Sequence, residues 1–154
     1  MTSLPHYVIL ALRFAAQSLL GAQTIRRMTS RNRVELTLES TLESVDQAEE
    51  MAVDFARSAG FDEDDQNKIG MAVRESMVNA VCHGNKYDPG KKTGLRRELA
   101  ERKIVITVTD QGDGFELSGL PNPLAEENLL KASGRGIFLI RAFMDELYVR
   151  RLSP

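Results

Sequence analysis

A chain of 154 residues with 42% hydrophobic and 27% charged residues has the size and composition of one globular domain with its own core. Its formal net charge of -2 gives no electrostatic reason to expect nucleic acid as a partner. Cys82 is the only cysteine, which excludes an intramolecular disulfide and a thiolate zinc site and fits a reducing cytoplasm.

The amino-terminal segment is unusually apolar. Its uninterrupted run, Tyr7 to Leu12, is far shorter than the roughly 20 residues that span a bilayer, and Arg13 follows it. No basic region precedes the run, as one would in a signal peptide. We therefore expect neither a membrane anchor nor a signal peptide. We assign residues 1–30 to an atypical extension and residues 31–154 to the domain, with Met28 as the hypothetical natural start and a surface-lying helix as the alternative.

The domain opens with a strand and a helix. Apolar and polar residues alternate over residues 33–39, which predicts a half-buried strand. Residues 44–59 have helical spacing, with Ser44 as a plausible N-cap and Gly60 as the stop.

A second helix is predicted over residues 66–83, after an acidic stretch that suits a helix N-terminus. Glu75 and Asn79 are four residues apart and share one side of this helix, within an apolar frame. Burial there is costly for a carboxylate and a carboxamide, so they either pair with other protein groups or face a ligand cleft. The packing face of the helix is predicted to consist of Ile69, Val73, Ser76, Met77 and Ala80.

The same pair suits a site for magnesium and phosphate. Mg²⁺ prefers oxygen ligands and keeps several waters, so the Asn79 carbonyl is a sufficient protein ligand when phosphate oxygens complete the shell. Glu75 would then act as a general base towards a water or a substrate hydroxyl. His83 lies one turn further along, where a lone histidine serves either as a cap or packing residue or as a ligand contact.

The second half of the chain adds strands, a loop and a last helix. Residues 85–94 predict a loop, residues 95–99 a short strand and residues 103–109 a β-branched strand. Prolines make residues 117–132 irregular, and a final strand is predicted over residues 145–152. The last helix is predicted from the spacing of Ile137, Ile140, Phe143, Met144 and Leu147.

Two glycine-rich segments complete the pattern. Residues 110–115, Asp-Gln-Gly-Asp-Gly-Phe, follow a strand, and their glycines let the backbone approach a flat ligand. A buried carboxylate at Asp110 would suit the exocyclic amine of adenine. A calcium-like acidic turn or a plain tight turn is the alternative. Residues 133–136, Ser-Gly-Arg-Gly, open the last helix, where free backbone N–H groups and Arg135 suit phosphate.

The order of these features is more specific than any one of them. A helix with Glu-x-x-x-Asn, then Asp-x-Gly-x-Gly after a strand, then Gly-x-Gly opening a helix resembles the ATPase superfamily of gyrase, histidine kinases and the MutL repair proteins, which has the Bergerat fold. Residues 72–88, 121–124 and 133–146 resemble the anti-sigma-factor serine kinase branch. The resemblance covers roughly residues 34–150.

The resemblance implies an α+β fold, a two-layer α/β sandwich whose mixed, mostly antiparallel sheet carries helices on one face. It implies a homodimeric serine/threonine protein kinase that uses ATP and Mg²⁺. Together with the net charge, the single cysteine and the short apolar run, it predicts a cytoplasmic protein without a nucleic-acid or membrane partner. Its partners would be a sigma factor, an anti-anti-sigma protein, or both. Glu75 would be the base and Asn79 the magnesium ligand, with residues 117–132 as a lid. The further nucleotide contacts would be His83, Gly84, Lys86, Asp110, Gly112, Gly114, Phe115, Ser133, Gly134, Arg135, Gly136 and Ile137.

Two departures from the family pattern qualify this expectation. Lys131 and Ala132 stand where sporulation-type members have an acidic residue and an arginine, so a γ-phosphate contact comes from Lys131 or Arg135, or is absent. The chain stops at Pro154, about where the family turns into one more strand, so we expect an incomplete sheet edge. An ATP-dependent binding switch without phosphotransfer is the alternative function. A histidine kinase is disfavoured, because neither His6 nor His83 sits in a recognisable phosphoacceptor helix.

Overall fold

The computed structural model describes residues 7–15, 33–100, 103–112 and 135–152. The strands are β1 (Tyr7–Ala15), β2 (Arg33–Glu39), β3 (Lys92–Ala100), β4 (Lys103–Asp110) and β5 (Glu146–Leu152). The helices are α1 (Leu42–Ser58), α2 (Glu63–Val78) and α3 (Arg135–Phe143), and a π-helical segment (Asn79–Gly84) continues α2 directly.

The strands form one five-stranded sheet in the order β2-β3-β4-β1-β5, and all four neighbouring pairs are antiparallel. Leu36 lies opposite Leu95, which lies opposite Val108, so an apolar row crosses three strands. The predicted α+β fold with a mostly antiparallel sheet is confirmed, and the strand over residues 33–39 has the predicted bounds.

One face of the sheet packs against the helices. Ile104, Ile106 and Val108, which alternate along β4, are at most 2% exposed, as alternation along a strand requires when one face meets a core. The predicted packing face of α2 and its π-helical continuation is buried as well, so this prediction is confirmed. The hydrophobic core joins the two layers through Val45 and Phe55 of α1, Ile69, Val73 and Met77 of α2, and Ile104, Ile106 and Val108 of β4.

The helix ends show where local signals were incomplete. Thr41 caps α1, because its side chain accepts the Ser44 N–H at 3.2 Å, so the prediction of Ser44 as N-cap is wrong. Ser44 lies in the first turn of the helix and is buried. Gly60 follows the helix with a φ of 91°, a conformation that glycine adopts without steric cost. Asp62 caps α2 by accepting the Asp65 N–H at 2.8 Å, so the helix begins at Glu63, three residues before the predicted start.

The amino-terminal strand differs most from expectation. Residues 7–15 lie between β4 and β5, with Val8 opposite both Asp110 and Arg151, so the alternative of a surface helix is wrong for these residues. β3 begins at Lys92, which lies opposite Glu39, and is therefore longer than predicted. The domain boundary at residue 31 remains a prediction, and the predicted lid lies outside the described residues. None of the helices in the described part of the chain combines the length and apolarity that crossing a membrane requires.

Candidate functional site

The helix that carries Glu75 and Asn79 changes its hydrogen bonding at Asn79. From there to Gly84 the backbone is π-helical, and the Asn85 N–H donates to the Ala80 carbonyl, five residues back, at 2.8 Å. The predicted helix therefore continues to residue 84, but its last six residues form wider turns. Short π-helical segments are rare and occur frequently at functional sites. The change of geometry begins at the residue that sequence analysis selected as a metal ligand.

Glu75 and Asn79 meet the first turn of α3 at Gly136. A Cβ atom added to Gly136 would lie 2.8 Å from Glu75 Oε2 and 3.7 Å from Asn79 Nδ2. A side chain at this position would therefore displace the Glu75 carboxylate. Glycine allows the backbone at the start of α3 to approach both polar side chains. The tertiary structure thus joins two motifs that are about 60 residues apart in the chain.

The Asn79 side chain has unused hydrogen-bonding capacity. Its Nδ2 is buried and has no hydrogen-bond partner among the described residues. A buried polar group without a partner costs about 1–3 kcal/mol, which is the cost that a bound ligand can remove. Rotating the amide by half a turn places its oxygen at the same position with little change in shape. The amide oxygen could then bind a cation such as Mg²⁺, whose other ligands would include phosphate oxygens. The neighbouring N-terminus of α3 suits the phosphate.

Asp110 lies at the end of β4 and is 7% exposed. Its Oδ1 accepts the Gly112 N–H at 2.8 Å. Burial raises the pKa of the Asp110 carboxyl above its usual value, and the hydrogen bond from Gly112 opposes this rise. A buried carboxylate held by one neighbouring amide is suited to accept a hydrogen bond from an amino group of a ligand.

Two glycines bring the π-helical segment against the Asp110 loop. A Cβ atom on Gly84 would lie 2.5 Å from the Asp110 carboxyl carbon and Oδ2. A Cβ atom on Gly112 would overlap the carbonyl group of Gly84. The end of the helical segment and the loop after β4 therefore touch backbone to backbone, and both contact positions require glycine.

The remaining predicted nucleotide contacts are exposed, belong to the hydrophobic core or lie outside the described residues. His83 and Lys86 are exposed, and Lys86 has a φ of 52°. The Ile137 side chain is part of the hydrophobic core, so only its backbone N–H in the first turn of α3 could face a ligand. The predicted contacts outside the described residues are Gly114, Phe115, Ser133 and Gly134, together with the side chain of Arg135.

The structure places one further residue, Asn85, beside the site, and no motif in the sequence singled it out. The composition of residues 85–94 predicts a loop, yet Asn85 is 1% exposed and hydrogen-bonded to three other segments of the chain. Its only sequence signal is its position directly after Gly84. That position does not distinguish a buried asparagine from an exposed turn residue, because asparagine is common in both turns and buried networks.

Comparisons with known proteins identify the family. Residues 38–154 match the histidine kinase-like ATPase domain. The serine-protein kinase RsbW of Halalkalibacterium halodurans is 32% identical over 123 residues, which cover 76% of this chain and 75% of that protein. RsbW of Bacillus licheniformis is 32% identical over 102 residues, 62% of this chain and 64% of that protein. RsbW of Staphylococcus aureus strain JH9 is 34% identical over 108 residues, 64% and 66% of the two chains. The chain belongs to the histidine kinase-like ATPase family, in the branch that contains the serine-protein kinases RsbW.

Proposed function

We propose that this protein is a cytoplasmic serine/threonine protein kinase that transfers the terminal phosphate of ATP to an anti-anti-sigma protein and also binds a sigma factor, and so regulates transcription. The observation that carries the proposal is the convergence of Glu75 and Asn79 on the first turn of α3 at Gly136. The relatives named serine-protein kinase support the reaction class. We further propose a homodimer, as the family resemblance implies, without nucleic-acid or membrane partners.

Each end of the site would hold one end of the nucleotide. The Asp110 carboxylate would accept the exocyclic amino group of adenine, and the glycines at 84 and 112 would let the base approach the backbone. The backbone N–H groups in the first turn of α3 would bind phosphate, with the favourable end of the helix dipole directed at it. Asn79 would hold Mg²⁺, which when bound neutralises phosphate charge during transfer. The other contacts implied by the resemblance remain part of this proposal.

Glu75 would act as the general base. Its half-buried carboxylate would accept the proton of a serine or threonine hydroxyl of the partner protein. The hydroxyl oxygen would form a bond to the γ-phosphorus, and the bond from that phosphorus to the bridging oxygen of the β-phosphate would break. The products are phosphoserine or phosphothreonine and ADP. A general base at this position is expected to contribute about 10²- to 10⁴-fold to the rate.

The second candidate function is an ATP-dependent binding switch that holds its partner without transferring phosphate. The sequence observation that favours it is Lys131-Ala132, in place of the acidic residue and arginine found in sporulation-type members. Without that arginine, the charge that develops on the transferring phosphoryl group depends on Lys131 or Arg135. Partner binding coupled to ATP would remain possible, because coupling requires only that the ATP-bound and ATP-free proteins bind the partner with different affinities.

The experiment that separates these functions is incubation with labelled ATP, Mg²⁺ and a panel of anti-anti-sigma proteins. For a kinase we expect serine or threonine phosphorylation that Glu75→Gln lowers at least about 100-fold while ATP binding is retained. Glu50→Gln, an exposed carboxylate on α1, is the matched control and should transfer phosphate at the wild-type rate. Tight ATP binding without transfer to any candidate would support the switch. Wild-type transfer rates in Glu75→Gln would show that Glu75 is not the base.

A further inference from the structure

Asn85 is a buried polar residue at the meeting point of three segments. It is 1% exposed, and its Nδ2 donates to Ser40 Oγ at 2.9 Å and to the Lys92 carbonyl at 3.0 Å. Its Oδ1 accepts the Gln111 N–H at 2.8 Å. Both amide protons and the amide oxygen are therefore used. Lys92 offers the side chain an acceptor and Gln111 offers it a donor, so these contacts allow only one orientation of the amide.

The contacts of Asn85 belong to a closed network. The Lys92 N–H donates to Gln111 Oε1 at 2.8 Å, so Asn85, Lys92 and Gln111 are linked in a ring. Ser40 Oγ donates in turn to the Lys91 carbonyl at 2.6 Å. The network joins the residue after β2, the start of β3 and the residue after β4. Asn85 contacts all three of these segments directly.

The network acts on the part of the chain that carries Asp110. Gln111 lies between Asp110 and Gly112, and its backbone N–H is held by Asn85. Asn85 itself is anchored to the π-helical segment, because its N–H donates to the Ala80 carbonyl at 2.8 Å. A Cβ atom on Gly84 would lie 2.5 Å from the Asp110 carboxyl group, so little room exists for movement in that direction. The position of the Asp110 carboxylate relative to the helix is thus set from one side by packing and from the other by Asn85.

We propose that Asn85 is a positioning residue for nucleobase recognition: it fixes the backbone of Gln111 and thereby aims the Asp110 carboxylate at the exocyclic amino group of adenine. This inference rests on the proposed nucleotide-binding function. A purine with a 6-keto group would direct an acceptor at the same carboxylate and be rejected. Rejection of this kind is strong only when the carboxylate cannot move away, because its strength comes from leaving a buried group unpaired.

The test compares ATP with inosine triphosphate, which carries the 6-keto group. Dissociation constants of both nucleotides are measured by calorimetry for the wild type and for Asn85→Ala, with thermal unfolding as a separate readout of stability. We expect the wild type to bind ATP more tightly than inosine triphosphate. In Asn85→Ala the ratio of the two affinities should fall about tenfold, which is the effect of one misplaced hydrogen bond to a charged group. A merely structural role would lower the stability and leave this ratio unchanged.

Ser40→Ala is the matched control, because it removes one partner of Asn85 and leaves the contact to Gln111. It should change the ratio by less than about twofold while lowering stability by an amount typical of one hydrogen bond. Asn85→Leu keeps about the size of the side chain but cannot accept the Gln111 N–H. It should lower the ratio in the same direction and covers the case in which Asn85→Ala does not fold.

The outcomes separate the two proposals. A wild type that binds ATP, with an affinity ratio unchanged in both Asn85 variants, would overturn the role of Asn85 and leave the proposed function standing. A wild type that binds neither nucleotide would overturn both. An equal loss of the ratio in Ser40→Ala and Asn85→Ala would also overturn the specific role of Asn85, because the effect would then belong to general loosening of the network.

Discussion

The two ends of the candidate site are built in opposite ways. At the Asp110 end, the carboxylate and the neighbouring Asn85 amide have protein partners, and backbone segments touch at Gly84 and Gly112. At the Glu75 end, the Nδ2 atom of Asn79 is buried and lacks a hydrogen-bond partner among the described residues. The first end is organised by the protein alone. The second has hydrogen-bonding capacity that a ligand would complete.

This difference matches what each end is proposed to bind. Recognition of a base by one carboxylate needs a fixed geometry, and a site that is already ordered loses little conformational freedom on binding. Phosphate and Mg²⁺ bring strong charges and can satisfy polar groups that are costly to leave unpaired in the free protein. We therefore expect substitutions at the first end to affect folding and binding together. Substitutions at the second end should separate the two.

Gly112→Ala should have the largest effect on stability. The added Cβ would overlap the carbonyl group of Gly84, and backbone on both sides must shift to relieve the contact. We expect the free energy of unfolding to fall by about 1–3 kcal/mol, as for other overpacked sites, and ATP binding to weaken at the same time. Denaturant unfolding and calorimetric titration with ATP measure the two effects.

Gly90→Ala is the control for Gly112→Ala, because Gly90 is exposed and an added Cβ would lie 3.2 Å from Asp88 Oδ1, at the end of a side chain. It should change stability by no more than about 0.5 kcal/mol. A Gly112→Ala protein with wild-type stability and ATP affinity would show that the close packing at the Asp110 end has no energetic importance.

Asn79→Leu should separate stability from binding. Removing the buried amide group that lacks a partner is expected to raise the free energy of unfolding of the nucleotide-free protein by about 1 kcal/mol. The same change should abolish the stabilisation that Mg-ATP gives to the wild type in thermal unfolding. Asn67→Leu, at an exposed position on the same helix, should alter neither quantity by more than about 0.5 kcal/mol. Loss of stability together with retained Mg-ATP binding would contradict the proposed role of Asn79.

Asp110→Asn and Asp65→Asn should have smaller effects on stability, and these should depend on pH. Burial raises the pKa of both carboxyls, and the Asp62, Asp64 and Asp145 carboxylates add to the rise at Asp65, while Lys68 opposes it. A raised pKa means that the folded state holds the proton more tightly than the unfolded state. The resulting stabilisation is complete below the usual carboxyl pKa and is lost as the pH rises through the raised value.

Either asparagine variant should therefore lose less stability than the wild type when the pH is raised from about 4 to about 8, as measured by thermal unfolding. Only Asp110→Asn should also weaken ATP binding, because Asp65 lies at the other end of α2, away from Glu75 and Asn79. Equal ATP affinities in the wild type and Asp110→Asn would remove Asp110 from the site.

Much of the secondary structure could be predicted because local patterns were clear. The alternation of residues 33–39 and the periodicity around Ile69 and Val73 correspond to buried faces in the structure. The N-cap of α1 was predicted three residues late, since Thr41 and Ser44 both have capping side chains and only the observed backbone turn decides between them. The change to π-helical hydrogen bonding at Asn79 has no counterpart in the residue spacing.

The sequence alone determined the helix with Glu75 and Asn79 and the order of the glycine motifs, because these depend on side-chain periodicity and on residue types with special backbone properties. The fold class followed from the family resemblance that these ordered motifs carry. Only the tertiary structure decided which groups meet. Asn85 and Ser40 are 45 residues apart, and Gly136 reaches Glu75 across an even longer stretch of chain. Contacts of this kind depend on how the layers pack. Local spacing does not show whether a side-chain amide has hydrogen-bond partners, as in Asn85, or has a nitrogen without one, as in Asn79.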